Sequence, residues 1–176
     1  MNIALFGGSF DPPHIAHEKI IKKSIDLLDI DKLIIMPTYL NPFKQQFHLK
    51  PQVRLSYMKI LCQNIDKAVV DEFEVKSKRK VPTIETVEYL YDRYNIDKLY
   101  LIIGADNLST LKLWDDYDRL NQLVEFIVAS RDGIKSKNYK TIKIDIPTSS
   151  TKLREHMDID MIPQKLKHLF KTDIVL

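Results

Sequence analysis

Short, continuous apolar runs alternate along the chain with longer segments in which apolar residues recur every three or four positions. Runs this short are typical of strands buried on both faces of a parallel sheet, whereas the longer period is typical of helices that pack on such a sheet. The pattern therefore predicts a single α/β domain over residues 1–176, with a mainly parallel sheet of five or six strands and helices on both faces. The predicted strands cover residues 3–6, 32–36, 68–75, 98–103, 125–129 and 141–146.

The segments between these strands predict the helices and the edge of the sheet where a site would lie. Right-handed crossovers bring the loops that follow parallel strands to one edge, so we expect a Rossmann-like arrangement with its ligands at that edge. Arg54, on the first turn of the second helix, faces either a substrate or solvent, and Thr83 is a candidate N-cap of the third helix. The predicted helices cover residues 17–29, 51–64, 82–94 and 163–170.

Composition narrows the partners but does not identify a function. The chain has 44% hydrophobic and 29% charged residues, and its 27 basic residues exceed its 24 acidic residues too slightly to indicate a nucleic-acid surface. No apolar stretch reaches membrane-spanning length and no cleavable leader precedes the first strand, so we expect a cytoplasmic protein with no nucleic-acid or membrane partner. Cys62 is the only cysteine and is predicted to be a core thiol. The oligomeric state stays open, and a homodimer is one option.

The stretch from Gly7 to His17 joins the first strand to the first helix and carries two glycines and two histidines. Glycines permit close backbone approach to a ligand, and the start of a helix offers N–H groups to an anion. His14 and His17 are three positions apart, so both imidazoles project from one side of the helix and could donate to phosphate oxygens. A metal site is the alternative for this pair, although no HExxH pattern or cysteine cluster accompanies it. We predict a nucleotide phosphate site.

Four later loops fall at the same predicted edge of the sheet and carry polar or basic groups. The loop over residues 38–50 contains Lys44. The turn that begins at Gly104 contains Asp106, which could cap a helix, accept hydrogen bonds from a ribose or support the phosphate site. The third loop contains Arg131. The fourth loop combines helix-start hydroxyls with a cation and is predicted to cradle an anion. Its candidate residues are Ser149, Ser150, Thr151 and Arg154.

These motifs together resemble a known family. Residues 8–17 are similar to the signature G-[ST]-F-D-P-x-H-x-G-H of the nucleotidylyltransferase superfamily, and residues 148–154 are similar to its second signature, I-S-S-[ST]-x-[IL]-R. Residues 104–114 resemble the G-x-D-x-L…L…W segment of the nicotinate-nucleotide adenylyltransferase family, whose tryptophan stacks on the nicotinate ring. The resemblance implies that nicotinate mononucleotide and ATP, with Mg²⁺, are converted to nicotinate adenine dinucleotide and pyrophosphate.

The resemblance also implies roles for individual residues. Catalytic roles fall on His14, His17, Lys44 and Arg154. ATP binding falls on Gly7, Gly8, Ser9, Phe10, His17, Arg131, Ser149, Ser150, Thr151 and Arg154. Nicotinate mononucleotide binding falls on Ser9, Lys44, Thr83, Thr86, Gly104, Asp106, Trp114 and Arg131, and no residue is assigned to a resident metal.

The chain departs from the family pattern at several of these positions. Ala16 stands where the family usually has glycine, and Phe43 stands where it has the histidine of P-P-H-[KR]. Val81 and Pro82 replace a serine and an aromatic residue, and Asp115 replaces an aromatic residue or histidine.

Two alternatives remain beside this reading. A pantetheine-phosphate adenylyltransferase shares both signatures, but that family usually has threonine at the position of His14 and lacks the tryptophan segment. A non-catalytic nucleotide-binding regulatory module would account for the departures at Ala16 and Phe43.

Overall fold

The computed structural model describes residues 1–130, 138–156 and 158–173 and contains one six-stranded sheet in the order β3-β2-β1-β4-β5-β6. Every neighbouring pair of strands is parallel. The predicted fold class is therefore confirmed. The strands are β1 (Asn2–Gly8), β2 (Lys32–Pro37), β3 (Ala68–Val70), β4 (Lys98–Gly104), β5 (Glu125–Ser130) and β6 (Lys140–Lys143).

Seven α-helices within the described ranges connect or follow these strands. They are α1 (Ile15–Leu27), α2 (Pro51–Cys62), α3 (Phe73–Ser77), α4 (Thr83–Arg93), α5 (Tyr117–Leu123), α6 (Ser150–His156) and α7 (Lys167–Asp173). Short 3-10 helices cover Ala105–Asn107, Leu111–Leu113, Ile159–Met161 and Gln164–Leu166. No helix in this part of the chain is long and apolar enough to cross a membrane.

The four central strands, β1, β2, β4 and β5, are largely buried, and their alternate residues point to opposite helix layers. In β1, Ala4 and Phe6 pack with residues of α1 and α2, while Ile3 and Leu5 pack with residues of α4 and α5. This two-sided burial explains why the strands read as continuous apolar runs. Cys62 lies in the first layer, and burial raises the pKa of its thiol to about 12, as expected for an inert core residue.

Residues 73–77 correct the predicted third strand. The sequence alternation at Phe73 and Val75 indicated that the strand continued, but β3 ends at Val70 and these residues form α3. The turn that starts α3 is fixed by the Asp71 carboxylate, which accepts a hydrogen bond of 2.9 Å from the Phe73 N–H. The Phe73 ring then stacks on Tyr89 of α4 with 4.0 Å between ring centroids, so the apolar side chain is used on a helix.

Smaller corrections concern the ends of elements. Thr83 is the first residue of α4 and Pro82 occupies the N-cap, so the capping role predicted for Thr83 is wrong. Asp106 lies inside a 3-10 helix that Gly104 caps, so it is not an N-cap either. The strand predicted to reach residue 146 ends at Lys143.

Candidate functional site

A cavity of about 630 Å³ opens at the C-terminal edge of β1, β2 and β4. It is the place where the predicted loops were expected to meet. Most predicted site residues line it: Gly7, Gly8, Ser9, Phe10, His14, His17, Lys44, Thr83, Thr86, Gly104, Asp106, Trp114, Ser149, Ser150 and Thr151. Arg154 lies beside the cavity and does not line it, and Arg131 falls outside the described residues. Ala16 and Phe43, two of the departures from the family pattern, also line it.

The turn after β1 depends on Gly8. The backbone of Phe10 is in the left-handed region, with φ of 47°, and its buried ring folds back against Phe6 and His17. A Cβ at residue 8 would lie 3.1 Å from that ring, so a larger residue would push the ring away. A Cβ at Gly7 would meet only the Met36 carbonyl oxygen, at 3.9 Å, so the fold does not itself require that glycine.

The two histidines form one stacked unit at the start of α1. His14 is the N-cap residue and is only 4% exposed, and its ring lies parallel to that of His17 with 3.6 Å between centroids. The His14 N–H donates to Nδ1 of His17 over 3.2 Å. Because Nδ1 accepts, the hydrogen of a neutral His17 ring sits on Nε2, which makes Nε2 a donor. Within the described ranges, no group of three or more His, Cys, Asp or Glu is arranged to hold a metal ion.

Asp11 and Arg54 fix the loop that carries Lys44 at both of its ends. The Asp11 carboxylate accepts from the N–H groups of His48 and Leu49, each at 2.8 Å. Arg54 is 1% exposed and donates to four carbonyl oxygens, those of Ser9, Thr38, Tyr39 and Leu49, over 2.6 to 3.0 Å. Both predicted settings for Arg54 are therefore wrong, because its guanidinium neither faces solvent nor lines the cavity.

Lys44 lies in an exposed turn of that loop and interacts electrostatically with three charged side chains. Partial burial of its ammonium lowers its pKa, Asp11 raises it, and Arg154 and Arg54 lower it again. The repulsion between Lys44 and Arg154 would be relieved by an anion bound between them. Lys80 also stabilises this turn, because its Nζ donates to the Pro42 carbonyl oxygen over 3.0 Å.

The second signature is attached directly to the first. Ser150 Oγ donates to the Pro12 carbonyl oxygen over 2.9 Å, and the Arg154 guanidinium donates to the Asp11 carbonyl oxygen and to Thr151 Oγ1. Ser149 takes the capping role, since its Oγ accepts from the Lys152 N–H. Residue pairs separated by 138 and 143 positions in the chain therefore meet beside the cavity.

Several residues predicted to hold the pyridine nucleotide line the cavity from α4 and from the segment that follows β4. A Cβ at Gly104 would collide with the Asp106 carboxylate, so a larger residue there would displace that side chain. Trp114 packs partly into the core layer of α4 and α5, and its Nε1 is buried without a hydrogen-bond partner in the described part of the chain. Thr83 lies on the first turn of α4 and Thr86 one turn further on.

Glu74 of α3 is a cavity residue that sequence reasoning missed. It is 5% exposed, and its Oε1 accepts a hydrogen bond of 2.6 Å from Thr86 Oγ1. Burial raises the pKa of its carboxyl to about 7, while the Thr86 hydrogen bond lowers it and Glu85 raises it. The residue was missed because the segment was predicted to be a strand. Asp71, a good starter of a helical turn two residues before Phe73, was the available signal.

The pKa of Glu74 predicts a pH-dependent stability. Because the carboxyl titrates near 7 in the folded chain and near 4.5 in the unfolded chain, its favourable contribution is complete below pH 4.5 and is lost as the pH rises through 7. Glu74→Gln keeps an acceptor for Thr86 but cannot ionise. We expect the variant to gain roughly 3 kcal/mol relative to the wild type between pH 4.5 and pH 8.5, as measured by urea denaturation.

Glu85→Gln is the matched control, because Glu85 lies on the surface of α4 beside Arg79. If the stability of the Glu74→Gln variant and that of the wild type change in parallel with pH, the raised pKa is contradicted.

Comparison with known proteins agrees with the motifs. The cytidylyltransferase-like family model matches residues 5–156. A Campylobacter jejuni protein named "probable nicotinate-nucleotide adenylyltransferase" is 48% identical over 168 residues, covering 95% of this chain and 93% of its own length. An Aliarcobacter butzleri protein of the same name is 45% identical over 170 residues, with the same two coverages.

The fold also matches a solved structure. The nicotinic acid mononucleotide adenylyltransferase of Plasmodium falciparum, complexed with NaAD, superposes with a TM-score of 0.73 over 97% of this chain and 95% of that chain. The identity is 22%, so this match shows the shared fold. The family match and the close relatives show that the chain belongs to the cytidylyltransferase-like family and, within it, to the nicotinate-nucleotide adenylyltransferases.

Proposed function

We propose that this chain transfers the adenylyl group of ATP to nicotinate mononucleotide, giving nicotinate adenine dinucleotide (deamido-NAD) and pyrophosphate, a step of NAD biosynthesis. Membership of the family supports the reaction. The observation that carries the proposal is the single cavity in which the two signature segments and the Trp114 segment meet. One substrate would bind at each end of that cavity.

The chemistry requires positioning and charge stabilisation and needs no covalent intermediate on the protein. A phosphate oxygen of nicotinate mononucleotide attacks the α-phosphorus of ATP, the bond from that phosphorus to the oxygen bridging to the β-phosphate breaks, and pyrophosphate leaves. Negative charge spreads over the oxygens around phosphorus as this happens. We assign its stabilisation to His14, His17, Lys44 and Arg154, of which the first three line the cavity and Arg154 lies beside it.

ATP would be held mainly by the turn after β1 and by the start of α6. The ring of Phe10 is buried, so its contribution would come from its backbone. We propose the same ATP-binding residues as the motifs do: Gly7, Gly8, Ser9, Phe10, His17, Arg131, Ser149, Ser150, Thr151 and Arg154.

Nicotinate mononucleotide would lie against the part of the cavity lined by α4 and by the Trp114 segment. Its pyridine ring would stack on Trp114, and its ring carboxylate would lie near the first turn of α4. The residues proposed to bind it are Ser9, Lys44, Thr83, Thr86, Gly104, Asp106, Trp114 and Arg131.

Mg²⁺ enters this scheme as part of the substrate, bound to the phosphates of ATP. Its charge would neutralise the departing pyrophosphate, whereas the residues named above would orient the two reacting phosphates. The proposed partners are these two small molecules, with no nucleic acid and no membrane, and the proposed location is the cytoplasm, where ATP is available. The alternative of a pantetheine-phosphate adenylyltransferase is disfavoured by the Trp114 segment on the cavity wall.

The test supplies Mg·ATP with nicotinate mononucleotide, nicotinamide mononucleotide or phosphopantetheine and measures pyrophosphate release and dinucleotide formation. We expect the highest kcat/KM with nicotinate mononucleotide, because its carboxylate suits the positive end of α4. Equal or better use of phosphopantetheine would overturn the proposal. Tight ATP binding without pyrophosphate release would favour the regulatory module instead.

A further inference from the structure

The hydrogen bond between Thr86 and Glu74 limits what Thr86 can do for a substrate. A hydroxyl has one hydrogen, and that of Thr86 is donated to the Glu74 carboxyl. Thr86 therefore has no hydrogen left to donate to an anionic group on the pyridine ring. The N–H groups of Thr83 and Ile84 remain as donors, because they lie in the first turn of α4, where a helix has no acceptors of its own for them.

Glu74 lies under this turn and lines the cavity, and the proposed reaction gives it no role. Nicotinate mononucleotide and nicotinamide mononucleotide differ only in the ring substituent, which is an anionic carboxylate in one and a neutral amide in the other. A negative charge on Glu74 would repel the carboxylate and leave the amide almost unaffected. If Glu74 is neutral, the positive N-terminal end of α4 would attract the substrate carboxylate without this repulsion.

Resting on the proposed function, we propose that Glu74 determines specificity for the ring substituent, selecting the carboxylate while it is protonated and losing that selection when it ionises. The selection would be made through charge, not through a change of shape, because the Thr86 hydroxyl can donate to either form of the carboxyl.

The surroundings of Glu74 make this switch operate near neutral pH. Burial is the main reason that its pKa rises to about 7, and Glu85 of α4 adds to the rise. The charged side chains of the elements around α3 do not neutralise Glu74. They form ion pairs with one another at the surface or accept hydrogen bonds from backbone and hydroxyl groups. They are Glu72 and Lys76 of α3, Lys59 of α2, which pairs with Glu72, and Asp71, which accepts from Phe73 and Tyr89. Lys32, the charged residue of β2, lies over the Tyr94 ring at the opposite end of that strand.

The experiment measures kcat/KM for the two mononucleotides with Mg·ATP between pH 6 and pH 8.5 and takes the ratio of acid to amide. The phosphate of the mononucleotide also titrates in this range, but it is common to both substrates and cancels in the ratio. We expect the wild-type ratio to fall by about tenfold, the order expected for one like charge in partly buried surroundings. The midpoint of the fall should lie near pH 7.

Three variants separate Glu74 from other causes. Glu74→Gln is expected to keep the ratio at its low-pH value throughout. Glu85→Gln is expected to retain the fall but to move it to lower pH, because Glu85 raises the pKa of Glu74. Thr86→Val removes the hydrogen bond that lowers the pKa of Glu74, so the fall should move to higher pH. The wild-type profile needs no variant and remains decisive if a variant does not fold.

A wild-type ratio that is constant over this range, or a fall that survives in Glu74→Gln, overturns the inference. The proposed function fails separately, if nicotinate mononucleotide yields no dinucleotide at any pH. Product formation with a constant ratio would therefore remove the role of Glu74 and leave the proposed reaction in place.

Discussion

Replacing His17 with alanine is expected to lower kcat by at least about 100-fold, the usual cost of losing one donor to transition-state charge. The His14 N–H already occupies Nδ1 of His17, so the ring hydrogen available to a phosphate oxygen would be the one on Nε2. His17 is also proposed to bind the phosphates of ATP, which are charged before the reaction, so the KM for ATP should rise as well, whereas the KM for nicotinate mononucleotide should change far less. Steady-state rates of pyrophosphate release with both substrates saturating provide the measurement.

His168→Ala is the matched control, since His168 is an exposed histidine of α7 that does not line the cavity. The stacked rings should also behave as a unit, so that the double variant His14→Ala/His17→Ala loses little more activity than His17→Ala alone. Turnover near the wild-type level in His17→Ala would remove the histidine from the catalytic set.

The sheet and the composition of the cavity wall could be predicted from the sequence because both are encoded locally. A strand buried on both faces must be apolar at every position, so runs such as residues 32–36 are visible without knowledge of their partners. Parallel strands then bring their following loops to one edge, which is why glycine turns far apart in the chain could be expected to share a site. At Gly8 and Gly104 a side chain would displace the Phe10 ring and the Asp106 carboxylate, respectively.

The parts that could not be predicted depend on contacts between distant segments. The alternation at residues 73–75 fits a strand equally well, and the stacking of Phe73 on Tyr89 accompanies the helical form instead. The raised pKa of Glu74 follows from burial that no local pattern reveals. Arg54 shows the same limit, because an arginine on the first turn of a helix is usually exposed, and only the fold reveals four carbonyl oxygens around it.

The positions of Asp11 and Arg54 connect the stability of the fold to the proposed chemistry. Lys44 contributes to catalysis only if its loop is held at the cavity, and the loop has polar anchors where it leaves β2 and where it enters α2. The Asp11 residue that supplies one anchor also gives its carbonyl oxygen to Arg154. A single buried cluster thus sets the positions of two proposed catalytic cations.

Arg54→Met is accordingly expected to lower the free energy of unfolding by about 3 to 5 kcal/mol, the cost of removing one partner from a buried charged network. Methionine fills much of the volume but donates to none of the four carbonyl oxygens, and it leaves Asp11 without its nearby guanidinium. Urea denaturation at pH 7 provides the measurement.

Arg119→Met is the control, because Arg119 is an exposed arginine paired with Glu88 and should cost less than about 1 kcal/mol. A loss for Arg54→Met no larger than that of Arg119→Met would contradict the role of Arg54 as an anchor. Arg54→Lys should fall between the two, since an ammonium keeps the charge near Asp11 but cannot reach all the carbonyl oxygens that the planar guanidinium spans. Because the anchored loop carries Lys44, the activity of the folded fraction should fall in the same order as the stability.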